Sequence, residues 1–226
     1  CNYISIMKVN IIFYLSAFGL GGAGNSIFKL CKRLPKNKFN ISIICLNKCY
    51  YKANFEKLNI KVFEIKSKRS IYAFNKIKEI VKKLISNNYK SNIFVSNIYY
   101  SNILSILFLK KLNIKIVLIE RTPYQELSIY YNFSDFIKKN IIKFLIGITF
   151  KKADCCVSNS KYISKKFNQK YNLNFKTIYP PSFDNRVYSK KTFILNSKFI
   201  HIGTACRLTK EKGLEKFVKI IPKLKK

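Results

Sequence analysis

Seven short strand-like runs, most of them rich in Ile, Val, Leu and Phe and most separated by helix-length segments, constrain this chain more than any other feature. They fall at 8–14, 40–46, 60–65, 92–96, 114–119, 154–158 and 175–179. Most lack the apolar-polar alternation of a strand with one wet face. A strand that reads apolar on both faces is buried on both, which is the pattern of a parallel sheet with helices above and below it. The segments at 25–34, 70–86, 99–111, 133–151 and 160–170 have the length and amphipathicity to be those helices. The expected class is therefore α/β, a doubly wound parallel sheet. Ligands of such sheets bind beyond the carboxyl ends of the strands. Function is accordingly sought in the loops after Tyr14, Val95, Ile119 and Ser158.

The pattern breaks at Pro180-Pro181-Ser182-Phe183-Asp184-Asn185-Arg186, where turn formers and the loss of any period mark a linker. It resumes with a strand at 198–203, a loop at 204–211 and a helix at 212–224 that carries Leu214, Phe217, Val218 and Ile221 on one face. The expected division is a first domain over 7–181, a linker over 182–197 and the beginning of a second α/β domain over 198–226. One strand and one helix cannot bury their own apolar face, so that second domain is expected to be incomplete. The first residue is Cys1, and Met7 directly precedes the first strand, so both ends read as broken.

Charge and cysteine content set aside several functions. Lys and Arg number 44 against 10 Asp and Glu, a formal net charge of +34 that would suit a polyanion or an anionic membrane. Yet Lys, Asn and Ile crowd every part of the chain, as an AT-rich codon bias produces, and the basic residues form no single block. Both readings stay open. The seven cysteines, at 1, 31, 45, 49, 155, 156 and 206, lack paired C-x-x-C spacing, and the single His201 lies inside Phe199-Ile200-His201-Ile202. Neither a metal site nor a cofactor is expected, and structural cysteines in a reducing compartment fit best. No apolar run reaches the length of a membrane span and no signal segment opens the chain; the expected location is cytoplasmic. The stretch from Phe136 to Leu145, followed by Lys151-Lys152, reads either as a sheet-covering helix or as a basic amphipathic helix lying on an anionic bilayer. Tyr99-Tyr100 suits core packing as well as base stacking, and no RNA-binding motif frames the pair, so no specific nucleic acid is expected.

Three motifs carry candidate chemistry. Gly19, Gly21, Gly22 and Gly24 follow the first strand and open a helix. Their backbone N–H groups can approach a phosphate or sugar at the helix N-terminus, although the spacing matches neither the dinucleotide fingerprint nor a P-loop. A tight turn is the other reading. Glu120 and Arg121 end the strand at 114–119, ahead of Pro123, and either orient a polar ligand or cap the strand with charge. In Gly203-Thr204-Ala205-Cys206-Arg207-Leu208-Thr209-Lys210-Glu211-Lys212-Gly213, Arg207 and Lys212 flank a strand-to-helix loop and can converge on a diphosphate, the guanidinium as a fork and the ammonium as a point charge.

That last segment is similar to the G-R-L-x-x-x-K-G signature of glycosyltransferase family 4, with Cys206 in place of the glycine before the arginine. Gly21-Gly22-Ala23, Glu120-Arg121, Ala153-Asp154-Cys155-Cys156-Val157-Ser158-Asn159-Ser160 and Tyr179-Pro180-Pro181 resemble the same family in the same order. Over 7–226 the chain resembles the N-terminal half of a GT-B enzyme: a Rossmann-like acceptor-side domain and the opening of a Rossmann-like, nucleotide-sugar-binding one. The resemblance implies transfer of a sugar from a nucleotide diphosphate-sugar, with retention of configuration, to a glycan or lipid-linked acceptor in cell-surface polysaccharide synthesis. It implies Arg207 and Lys212 as ligands of the donor diphosphate, and Gly21, Gly22, Glu120 and Arg121 as the lining of the cleft. The paired acids of the family, Glu-x7-Glu, have no counterpart here. The chain alone is expected to be inactive, with a peripheral contact on the inner face of the membrane a further expectation. A basic α/β protein that binds nucleic acid or membrane, or an inactive truncated product, are the rival expectations.

Overall fold

The structure is a computed structural model that describes residues 7–16, 18–19, 21–181, 203–204, 206 and 213–222. The chain divides into two compact units, Cys1–Asp184 and Asn185–Lys226. The expected linker, the expected strand at 198–203 apart from Gly203, His201, Arg207 and Lys212 all lie outside the described residues.

The first unit is a seven-stranded sheet in the order β3-β2-β1-β4-β5-β6-β7, parallel throughout. The strands are β1 (Val9–Leu15), β2 (Phe39–Leu46), β3 (Lys61–Ile65), β4 (Ser91–Asn97), β5 (Lys115–Glu120), β6 (Cys155–Ser158) and β7 (Phe175–Thr177). Between them run α1 (Gly22–Arg33), α2 (Lys52–Glu56), α3 (Ser70–Leu84), α4 (Tyr99–Leu109), α5 (Phe133–Thr149) and α6 (Lys161–Tyr171). Strand order reverses between β1 and β4, the neighbours from which the two halves wind outward. That reversal leaves a crevice at the carboxyl ends of these two strands.

Local chemistry sets the helix ends. The side chain of Asn132 accepts from Asp135 N–H at the start of α5, and Ser160 accepts from Ile163 N–H at the start of α6. Lys32 and Arg33 close α1, and Lys82 and Lys83 close α3, where a cation meets the negative helix end.

The two faces of the sheet are covered unequally. Ile12, Tyr14, Ile44, Phe94, Ile116 and Leu118 pack under α3, α4, α5 and α6 in one large cluster. Phe13, Leu15, Ile43, Cys45 and Val95 meet α1 and α2 on the other face. Among the described residues no helix lies over the β5 and β6 side of that second face. There Ile93, Val117 and Ile119 are only partly buried, beside a groove of about 550 Å³ between α1 and the segment Ile178–Pro181. Expected cover on both faces is thus met over half of the second face only.

A row of asparagines crosses the centre of the sheet. Asn10 lies in register with Asn40 and Asn92. Its Nδ2 donates to Asn92 Oδ1 at 3.0 Å and to Leu84 O at 2.9 Å, while its Oδ1 accepts from Asn40 Nδ2 at 2.8 Å. Asn92 in turn donates to Ser86 O at 3.0 Å. Buried amides are tolerated only when bonded in this way.

In the second unit, α7 (Leu214–Ile220) starts from Gly213 at φ 67, a left-handed value that glycine adopts without a Cβ penalty.

Candidate functional site

The crevice is built from the ends of β1, β4 and β5 and the start of α1. Arg121 follows β5 directly and turns toward α1: its Nε donates to Asn97 Oδ1 at 3.3 Å and its NH1 to Ser26 Oγ at 3.0 Å. Both acceptors are themselves fixed. Asn97 Nδ2 donates to Tyr14 O at 3.3 Å, and Ser26 Oγ donates to Ala23 O at 2.9 Å. The backbone of Arg121 is tied to the next strand end through Asn159 Nδ2, which donates to its carbonyl at 3.4 Å. One side chain therefore links β1, β4, β5 and α1 across the point where strand order reverses.

Among the described residues no carboxylate lies within ion-pair distance of Arg121. Burial pulls its pKa down, yet a guanidinium remains charged throughout the physiological range. A desolvated cation with only neutral partners attracts an anion. It borders the open groove together with Ser26, Asn159 and Tyr179.

Glu120, its sequence neighbour, goes the other way. Successive strand residues point to opposite faces, and Glu120 is fully buried toward α4, where Asn102 Nδ2 donates to its Oε1 at 2.5 Å. The pair read together from sequence is thus divided: Arg121 faces the crevice and Glu120 holds α4 against β5.

Gly21 and Gly22 sit at the N-terminus of α1, exposed, with nothing within 4 Å of where a Cβ would lie. Space for a ligand exists there. Gly24 is different, since a Cβ would come within 2.8 Å of Gly19 O and 3.2 Å of the Tyr51 ring. That glycine is needed to close the turn.

On the opposite side of the same edge lies a second cavity, about 820 Å³, bordered by Ser16, Asn47, Arg69, Ile98 and Tyr99 and floored by Leu104. Ile98 has φ 74 and ψ 138, a backbone state that a β-branched residue avoids. It is held by Ile98 N–H donating to Ile119 O at 3.2 Å and by Asn102 N–H donating to Ile98 O at 2.9 Å. Strained backbone at the edge where ligands bind is a mark of functional sites. Sequence reading named none of Ser26, Asn97 or Ile98. A polar residue closing an apolar strand, as Asn97 does, was the one signal available.

Among the described residues no group of three His, Cys, Asp or Glu could hold a metal ion. Cys31 and Cys156 are buried thiols whose pKa burial pushes up to about 12, consistent with packing rather than reactivity.

A parallel sheet reversing between β1 and β4, with a glycine turn, an anchored arginine and a crevice at its carboxyl edge, is a Rossmann-like domain with its candidate site at the switch point. Residues 20–181 match the sequence pattern of Glycosyltransferase Family 4, and the chain belongs to that family. Among solved structures the fold is similar to HepE from Anabaena in complex with UDP, at 13% identity and TM-score 0.54 over 77% of this chain and 44% of that one. It is similar as well to a glycosyltransferase from Rickettsia africae, at 20% identity and TM-score 0.55 over 76% of this chain and 43% of that one. Sucrose-phosphate synthase from Thermosynechococcus elongatus shares 8% identity at TM-score 0.54, over 76% of this chain and 48% of that one. The chain thus spans less than half the length of these structures. No curated protein matches it in sequence. No helix among the described residues is long and apolar enough to cross a membrane.

Proposed function

We propose that the protein transfers a sugar from a nucleotide diphosphate-sugar, with retention of configuration, to a glycan or lipid-linked acceptor in the synthesis of a cell-surface polysaccharide. The observation that carries this reading is the Arg121 guanidinium, largely desolvated at the strand-order reversal of a Family 4 sheet and held, among the described residues, by the neutral groups of Ser26 and Asn97. HepE binds UDP and UDP-glucose, which supports a donor of that chemical class. In this reading the exposed Gly21–Gly22 turn and Arg121 lie on the acceptor side of the cleft, and Glu120 keeps that edge in shape from beneath. Arg207 and Lys212 bind the donor diphosphate and stabilise the charge that develops on it as it departs. Residues 7–181 form the acceptor-side domain, 182–197 the linker and 198–226 the opening of the donor domain. The chain by itself is inactive, since a donor must be held from both sides. It works in the cytoplasm, at the inner face of the membrane.

The test uses the protein encoded by the whole reading frame and a panel of nucleotide diphosphate-sugars. Replacing Arg207 and Lys212 together by Ala lowers donor affinity by about 100-fold, from two charge-assisted contacts at ~1.5 kcal/mol each, with the thermal unfolding curve unchanged. Unaltered donor affinity in that variant would refute the diphosphate assignment.

A further inference from the structure

Helix α5 is apolar on two opposite sides. Ile142 and Ile146 are buried against the core, while Phe133, Phe136, Ile137, Ile141, Phe144 and Ile148 are exposed. The exposure is large: 76% for Phe133, 66% for Phe144 and 52% for Ile141. With 3.6 residues per turn these six fall in one arc of roughly 140°, opposite the buried side. A surface helix of a soluble protein normally shows water its polar face. A contiguous apolar stripe there marks a contact surface.

The borders of the stripe are basic. Lys138 lies on one side, Lys139 and Lys143 on the other, and Lys151 and Lys152 at its C-terminal end. Asp135 is the single acid from 133 to 152, and it is already paired with Lys139 at 2.7 Å. The neighbouring α6 adds Lys166 and Lys170 at the rim of a small cavity of about 210 Å³. Burial first, then the charges of Lys143 and Lys166, pull the Lys170 pKa down, so these three ammonium groups already repel one another. Tyr130, whose hydroxyl accepts from Lys143 Nζ at 2.6 Å, and the exposed Tyr131 stand beside them. Apolar centre, basic rim and flanking tyrosines are the anatomy of a helix lying in a membrane interface.

Other occupants fit less well. Ile137, Ile141 and Ile148 offer nothing to phosphates or base edges, as a nucleic acid would require. A second copy of a chain with net charge +34 would bring two lysine rims together.

We propose that the outer stripe of α5 docks on an anionic lipid bilayer, with Phe133, Ile137, Ile141, Phe144 and Ile148 entering the boundary between headgroups and acyl chains. Lys138, Lys143, Lys151 and Lys152, with Lys166 and Lys170 of α6, meet the lipid phosphates. The proposal rests on the reading that the protein works at a membrane face, but the surface lies apart from the crevice, so vesicle binding and sugar transfer can fail separately.

Cosedimentation of the protein encoded by the whole reading frame with vesicles of phosphatidylglycerol and phosphatidylcholine tests it, against vesicles of phosphatidylcholine alone. Wild type binds the mixed vesicles, binds neutral ones at least tenfold less and is released as added salt shortens the Debye length from about 10 Å at 0.1 M to about 3 Å at 1 M. The double variant Ile141→Glu with Phe144→Glu loses at least tenfold in binding, while its unfolding temperature and nucleotide-sugar affinity stay at wild-type values. The opposite results overturn the proposal: no binding by wild type, equal binding to neutral vesicles, or full binding by the double variant. A dimer or a single-stranded nucleic-acid complex that this variant abolishes, with vesicle binding intact, assigns the stripe to that partner and overturns it equally.

Discussion

Ile98 gives the sharpest test of the crevice geometry. Its φ of 74 with ψ 138 costs a residue with a Cβ about 1–3 kcal/mol, whereas glycine adopts it freely. Replacing Ile98 by Ala keeps that cost and removes most of the side chain. Replacing it by Gly removes the side chain and the cost together, at a penalty of about 0.5–1 kcal/mol for the greater freedom of glycine when unfolded. Loss of the isoleucine, which is 38% exposed, is common to both variants and cancels in their comparison. The Gly variant should therefore be the more stable by ~1 kcal/mol, the reverse of the usual order. For a unit of this size that is a difference of about 2–4 °C in melting temperature, resolved by circular dichroism melts or urea titration. Ala equal to or above Gly would refute the strain, and with it the claim that the bonds to Ile119 O and from Asn102 N–H hold Ile98 in place.

The glycine turn and the acidic groups yield two more expectations. Gly24→Ala places a Cβ within 2.8 Å of Gly19 O and should cost about 1–3 kcal/mol, whereas Gly22→Ala meets open space and should change stability by less than ~0.5 kcal/mol. Urea titrations that rank the two equally would contradict the turn geometry, and a loss of sugar transfer in Gly22→Ala would report ligand approach alone. Burial opposes ionisation of Asp154, but the Ile116 N–H at 2.8 Å and Lys110 at 2.9 Å hold its pKa below the usual range. The Cys49 N–H does the same for Glu64, and Lys139 for Asp135. Groups depressed in the folded state stabilise it above their ordinary values near pH 4 and lose that contribution as pH falls through the depressed ones. Melting temperature should thus fall steeply below about pH 4, less so in Asp154→Asn; identical acid slopes for the two proteins would count against the assignment.

The sheet was legible because buried parallel strands leave long apolar runs, and all seven strands expected in the first domain formed, with ends shifted by at most two residues. Helix α2 was not foreseen, since five residues from Lys52 to Glu56 show no period. The half-open second face was also hidden: Val117 and Ile119 read as buried on composition, and only the path of the helices leaves them partly bare. At the site, Arg121 was legible as a charge at a strand end. Its separation from Glu120 follows from strand alternation, but their partners, Ser26 and Asn102, lie 95 and 18 residues away and leave no trace in local sequence. Ile98 was illegible in principle, because a β-branched residue argues against the backbone it adopts.

The asparagine row has a consequence for how the chain finds its fold. Strands made of interchangeable Ile, Val and Phe can slide past one another by two residues and still present apolar faces to the same side. Such offsets are nearly equal in burial, and long-range parallel pairing forms slowly, so mistakes have time to accumulate. A slip of two residues would part the amides, setting Asn10 opposite Ser42 or Lys38 and Phe94 or Lys90, and Asn40 and Asn92 opposite Ile12 or Lys8, at about 1–3 kcal/mol for each amide left buried without a partner. The row acts as a proofreading device: it adds little to the finished sheet but discards the wrong alignments on the way to it.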